Sequence, residues 1–206
     1  MVRIVKDPEV RKLEIIQAAE KLFGQEGYTK TSVESIIQEV GIAKGTFYHY
    51  FKAKKDILEA LVEQIGVEMQ THFNSIVETK KLTSLQKLKL MLRGKEKQKI
   101  TSSPVMKIIH KPENRELQEK LNIQSVKAIA PLLAQVLQQG KQEGVFTFSP
   151  SVESVQLVLA GSEFILSSGL FNLTAKKQVA FLKAIQHIFE LLVGAKPGTL
   201  SFIAKE

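Results

Sequence analysis

The densest run of side chains able to bind or react lies between residues 44 and 54. Lys44, Thr46, Tyr48, His49, Tyr50 and Lys54 crowd into it, and two hydroxyls, Thr31 and Ser32, stand a little upstream. Cations, hydroxyls and rings with polar tips are the groups that reach phosphate oxygens and base edges. His49 suits a phosphate contact better than acid–base work, because no nucleophile or carboxylate is patterned around it. The other histidines, His72, His110 and His187, are far apart and lack metal-ligand spacing, so no metal site is expected. Asp occurs only at 7 and 56, and there is no Cys. A thiolate zinc site, an iron–sulfur cluster, a disulfide scaffold and a cysteine nucleophile are therefore excluded. The chain has no His-Glu-x-x-His, no phosphate-binding loop ending in Lys-Ser/Thr and no dinucleotide glycine fingerprint. No enzyme, no catalytic residue and no cofactor is expected.

The elements that position this run are short helices. Asp7, Pro8 and Glu9 are start signals for the first, whose apolar residues Leu13, Ile16, Ala19, Leu22 and Phe23 recur at helical spacing before Gly24 and Gly27 end it. Thr31-Ser32-Val33-Glu34 reads as a capping box, with Thr31 as cap and Glu34 reaching back. It opens a helix that turns Val33, Ile36, Ile37 and Val40 inward. Gly41 supplies the corner, and a helix from about Lys44 to Tyr50 turns Phe47 and Phe51 inward. Two short helices joined across a tight glycine corner make a helix-turn-helix, here about residues 32–51. Gly45 is read as a site of close approach between helices. Lys44, Thr46, Tyr48, His49 and Tyr50 are left on the outer face.

The rest of the chain also reads helical. Helices are expected over 54–79, 83–100, 103–110, 113–142 with a kink at Pro131, 151–171 and 174–193, followed by a loose tail at 199–206. No segment alternates as a strand does, so the fold class is all-α with about nine helices. The 206 residues carry a net charge of +8, which suits a polyanionic partner. The excess is uneven. Residues 80–127 hold 13 basic against 4 acidic residues, so charge counting alone would put the anion site in the middle of the chain. That basic run reads as a solvated helix face, an attractor for anionic effectors, or a membrane-surface helix. No apolar run is long enough to span a bilayer and the first residues lack a signal-peptide core, so a soluble cytoplasmic protein with no membrane partner is expected.

Ile15 through Val62 resembles the DNA-binding domain of the TetR family of bacterial repressors. The resemblance is carried by Gly-Tyr-Thr-Lys-Thr-Ser-Val at 27–33 and Gly-Ile-Ala-Lys-Gly-Thr-Phe-Tyr-His-Tyr-Phe-Lys at 41–52. It implies an all-helical homodimer whose N-terminal domain, residues 9–69, holds operator DNA. Its C-terminal domain, residues 70–206, would bind a small effector that releases the DNA and would form the dimer. It also implies roles for the residues. Thr31 and Ser32 match a hydroxyl pair near phosphate. Lys44, Gly45 and Thr46 match the base-reading turn. Tyr48, His49 and Tyr50 match a trio that touches phosphate and thymine methyls. Lys54 matches a lysine that grips the DNA backbone. Ala43 and Ala53 depart from the family, which often has capping residues there; Ile37 and Val40 stand where it often has Ala.

The expected function is a ligand-responsive repressor on pseudo-palindromic double-stranded DNA. The alternative is an architectural DNA-binding protein of the same fold without a switch. Arg3 and Lys6 are either a minor-groove arm or a solvated tail. The dimer is expected to form through the last two helices, by Val155, Leu159, Phe181, Ile185, Ile188 and Phe189, with Gly161 and Ser162 allowing close approach. An effector pocket is expected around Phe73, Met91, Met106, Ile109 and Phe164. Glu163 shares a helical stripe with Glu153, Gln156 and Ser167 and is read as facing away from that pocket. The effector is therefore expected to be apolar and neutral or anionic.

Overall fold

Start and stop chemistry sets the helix boundaries. The computed structural model describes residues 7–93, 103–167 and 171–204, apart from the side chains of Glu113 and Ser167. Arg3, Lys6, the 94–100 part of the helix expected over 83–100, and the side chain of Ser167 lie outside them. Nine α-helices and no strand occur among the described residues. They are α1 (Pro8–Glu26), α2 (Val33–Val40), α3 (Lys44–Tyr50), α4 (Lys54–Glu78), α5 (Ser84–Arg93), α6 (Pro104–Ile109), α7 (Arg115–Gln142), α8 (Val152–Ser167) and α9 (Ala175–Val193). Short 3₁₀ turns cover Pro112–Asn114 and Ser201–Ile203.

The chain divides into two compact units, residues 1–65 with 103–117, and residues 66–102 with 118–206. In the first, Ile15, Ile16, Ala19, Leu22 and Phe23 of α1 are buried. The expected stripe is off at one place: Leu13 is 44% exposed and Ile15 takes the inward position. Gly24 does not end α1. It lies within the helix, and the ring of Pro104 sits 3.5 Å from where a Cβ would be. That contact seats α6 on α1, and Val105, Met106, Ile108 and Ile109 are all buried. The compact unit thus takes in residues that the segment 9–69 omits.

In the second unit, Met69, Phe73 and Ile76 of α4 are buried, as are Leu88 and Met91 of α5 and Leu133, Val136 and Leu137 of α7. α7 runs through Pro131 without interruption. At the edge of this apolar packing lies a polar clasp that runs from buried Lys87 and Ser84 out to exposed Glu143. The Lys87 ammonium, 5% exposed, donates to the Val77 carbonyl at 2.6 Å and to Gln139 Oε1 at 2.8 Å. Gln139 donates in turn to the Leu82 carbonyl and to Glu143. The Glu143 carboxylate accepts from the amide and the hydroxyl of Ser84, the first residue of α5. So part of the basic run expected to be a solvated face is buried, with Lys87 held by two hydrogen bonds. The described part of the tail, residues 199–204, is not loose either. Leu200 and Ile203 are buried, the Leu200 amide donates to Glu190, and Arg93 donates to the carbonyls of Phe202 and Ile203.

Candidate nucleic-acid interface

The α2–α3 pair is held from within by Ile36 and Phe47, both fully buried, with Phe51 4% exposed. Val33, Ile37 and Val40 are only half-buried, so Ile36 is the one fully buried residue of α2. The start of α2 differs from expectation by one position. Ser32, not Thr31, is the cap: its hydroxyl accepts from the Ser35 amide at 2.9 Å, and Ser35 Oγ accepts from the Ser32 amide at 3.1 Å. Glu34 takes no part in the cap. At the far end of α2, Gly41 adopts φ 70°, ψ 42°, a left-handed conformation that glycine adopts without strain, and its amide returns to the Ile37 and Gln38 carbonyls. Ala43 makes no side-chain cap for α3. At Ala53 the missing cap is compensated, since Asp56 accepts from the amides of Lys52 and Ala53 at 2.7 and 3.1 Å.

The outer face of α3 is as expected for most of its residues. Lys44, Gly45, Tyr48 and His49 are exposed, and Thr46 and Tyr50 are half-buried. Lys44 Nζ stands 3.8 Å from Glu34 and 5.9 Å from the centre of the Tyr48 ring. Both members of that ion pair are about two-thirds exposed, so it adds little stability and yields readily to a phosphate. Tyr48 leans edge-on against Phe47 at 5.4 Å, and His49 meets Tyr50 edge-on at 5.0 Å. These edge contacts fix the orientation of the rings. Nothing lies within 4 Å of a Cβ built on Gly45. Its expected role in close helix packing is therefore wrong, because that side of α3 is open.

Two expected phosphate contacts are turned inward. Thr31 is 1% exposed, and its hydroxyl and amide both donate to the Gly27 carbonyl. The Lys54 ammonium donates to the carbonyls of Tyr28 and Thr31 and lies 4.3 Å above the Tyr28 ring. Burial pushes its pKa below that of an ordinary lysine. Burial also raises the Tyr28 hydroxyl, with Lys55 opposing and Asp56 adding to the rise. The neighbouring Lys55 points outward and pairs with Glu116 at 2.9 Å. Sequence spacing alone does not separate Lys54 from Lys55, and the Tyr28 ring is the feature that does. Serine at 32 followed by serine at 35 is the signal that would have found the true cap.

The other expected sites are only partly brought together. Phe73 and Met91 are buried in the second unit, Met106 and Ile109 in the first, and Phe164 is 53% exposed with its ring edge-on to Phe171. Of the expected interface residues, Val155 and Phe189 belong to the subunit core; Leu159, Phe181 and Ile185 are half-buried, and Ile188 is exposed. Sequence reasoning missed Leu157 and Leu191, 76% and 66% exposed. Glu163 is half-buried. Among the described residues no three His, Asp or Glu side chains converge as a metal site, and no helix is long and apolar enough to cross a membrane.

Comparison with known proteins agrees with this geometry. Residues 15–61 match the family model described as bacterial regulatory proteins, tetR family, and residues 99–188 match a tetracyclin repressor-like C-terminal domain. The fatty acid metabolism regulator protein of Bacillus subtilis is 31% identical over 145 residues, covering 68% of this chain and 73% of that protein. The solved structure of the transcriptional regulator FadR from Bacillus subtilis, in complex with stearoyl-CoA, is 25% identical. It superposes at a TM-score of 0.55 over 89% of this chain and 98% of its own. RolR bound to resorcinol shares the fold at 16% identity and a TM-score of 0.62, over 97% of this chain and 95% of its own.

Proposed function

This chain belongs to the tetR family of bacterial regulatory proteins, and from that premise we propose that it is a repressor released by a long-chain acyl thioester of coenzyme A. In this reading residues 9–69 hold a pseudo-palindromic operator and residues 70–206 form the effector-binding and dimerisation region. The DNA-facing set is Ser32, Lys44, Gly45, Thr46, Tyr48, His49 and Tyr50. Lys44 and Thr46 stand at the start of α3, where a recognition helix meets base edges, while Ser32 and the ring tips fall where the phosphates run. Two recognition helices must match major grooves about 34–36 Å apart, so an effector that favours any other separation lowers affinity.

One observation carries the effector class: the likeness to the fatty acid metabolism regulator reaches well beyond the DNA-binding part, over 73% of that protein. The chemistry of this chain is compatible. Its C-terminal region has aliphatic, Met and Phe side chains but no Tyr or Trp for an aromatic cage, and residues 80–127 carry the basic excess that an anionic nucleotide head favours. The test is fluorescence anisotropy on a duplex from the regulator's own promoter. Stearoyl-CoA at micromolar concentration should release the DNA, while free CoA and a lipophilic cation should not. Release by the cation, or indifference to stearoyl-CoA, would sink the effector assignment and leave the DNA assignment standing.

A further inference from the structure

The neck of the helix-turn-helix is closed by Lys54. We propose that Lys54 is a positioning residue that ties the two ends of the DNA-reading segment together, and that it does not touch DNA. Its ammonium has three donors. Two are taken by the carbonyls of Tyr28 and Thr31, which lie in the turn between α1 and α2. The ring of Tyr28, 4.3 Å away, covers another face. Tyr28 is itself held edge-on by Phe23 at 5.0 Å, and Phe23 is buried. Thr31 is fixed a second time, because its hydroxyl and amide converge on Gly27.

The topology gives this small cluster its leverage. Residue 31 directly precedes the Ser32 cap of α2, and residue 54 opens α4. Everything that reads DNA lies on the chain between them. Tying 31 to 54 fixes where α2 enters and where α3 leaves, so α3 cannot tilt without breaking two charge-assisted hydrogen bonds. To reach a phosphate, the ammonium would have to leave both carbonyls and the ring. Lys55 next to it already points outward, exposed and paired with Glu116. The contribution of Lys54 to affinity is then preorganisation of the binding-competent form, not counterion release. Only the DNA arm of this inference rests on the DNA-binding reading above.

The two roles separate experimentally. A phosphate contact adds about one unit to the slope of log affinity against log salt, and a positioning contact adds nothing. Full-length Lys54→Met should bind a mixed-sequence duplex about tenfold more weakly with the salt slope of the parent chain. In hydrogen exchange, amides of residues 28–36 should exchange faster while those of the last turns of α4 stay unchanged. Tyr28→Leu, which removes no cation, should move both readouts the same way but less, and it decides the matter if Lys54→Met does not fold. A slope shallower by about one unit with unchanged exchange would overturn the proposal. If the parent chain binds no duplex, the DNA reading fails. Exchange then decides the clamp alone: faster exchange at 28–36 in either variant supports it, and unchanged exchange overturns it.

Discussion

At the scale of single residues, Glu143 has the clearest dependence on pH. Burial pushes its carboxyl pKa up, but hydrogen bonds from the Ser84 hydroxyl and amide, one from Gln139 and the nearby charge of Lys87 outweigh burial and hold it below the ordinary value. A carboxylate depressed in the folded state stabilises the fold above its unfolded pKa. That contribution disappears as pH falls through the folded pKa. The melting temperature should therefore drop as pH falls from about 5 to below 4, and the drop should be smaller in Glu143→Gln. Equal drops in thermal melts of the two proteins would show that the clasp has no part in acid lability. None of this was legible in the sequence, where Lys87 is one of a run of lysines. A lysine reads as solvated unless the fold supplies carbonyls for it. The same holds for Thr31 and Ser32, adjacent hydroxyls of which only one can cap α2. The choice of Ser32 follows from Ser35 reaching back to it, and a Thr-x-x-Glu pattern overlapping it by one residue hides that signal.

At the scale of elements, the sequence was most legible where periodicity and breakers agree. α4 buries Ile57, Leu58, Leu61, Ile65, Met69, Phe73 and Ile76, the stripe its spacing foretells. α9 starts after the Thr174 cap and ends at Gly194, as read. Periodicity says which face of a helix is buried, not which neighbour covers it, and so the placing of α6 against α1 was out of reach. The turn between α7 and α8 illustrates a second blind spot. Gly140 lies inside α7 at an ordinary helical φ, so its backbone does not require glycine. It is glycine because Phe146 folds back on it: a Cβ at 140 would meet the Phe146 ring at 2.3 Å. Phe146 is 4% exposed and cannot swing away cheaply. Gly140→Ala should then destabilise the protein by about 1–3 kcal/mol, although Ala is the better helix former by nearly 1 kcal/mol. Urea denaturation measures it, and a gain in stability would mean that the ring moves freely.

At the scale of the whole molecule, the faces of α8 and α9 that the subunit leaves uncovered call for a partner. Leu157 and Leu191 are 76% and 66% exposed, and Phe164 and Ile188 are about half exposed. Scattered exposed leucines need no explanation, but four large apolar side chains exposed on two helices that pack together are the natural candidates for contact with a second copy. Val155 and Phe189, which the sequence assigned to the interface, point into the subunit, so the split between core and interface was misread there. Apolar residues lie on more than one face of these helices, and spacing cannot say which one meets a second copy. Covering a leucine is worth about 1.5–3 kcal/mol, and in a two-fold contact each residue counts twice. Leu157→Asp with Leu191→Asp should therefore turn a dimer into a monomer at micromolar concentration, read by sedimentation velocity. The helical circular dichroism should stay unchanged, because neither side chain supports the subunit core. Affinity for a two-half-site duplex should fall about a hundredfold or more, since each half-site is then bound without the help of the other. A parent chain that sediments as a monomer, or a double variant that remains dimeric, would refute the assignment of this face.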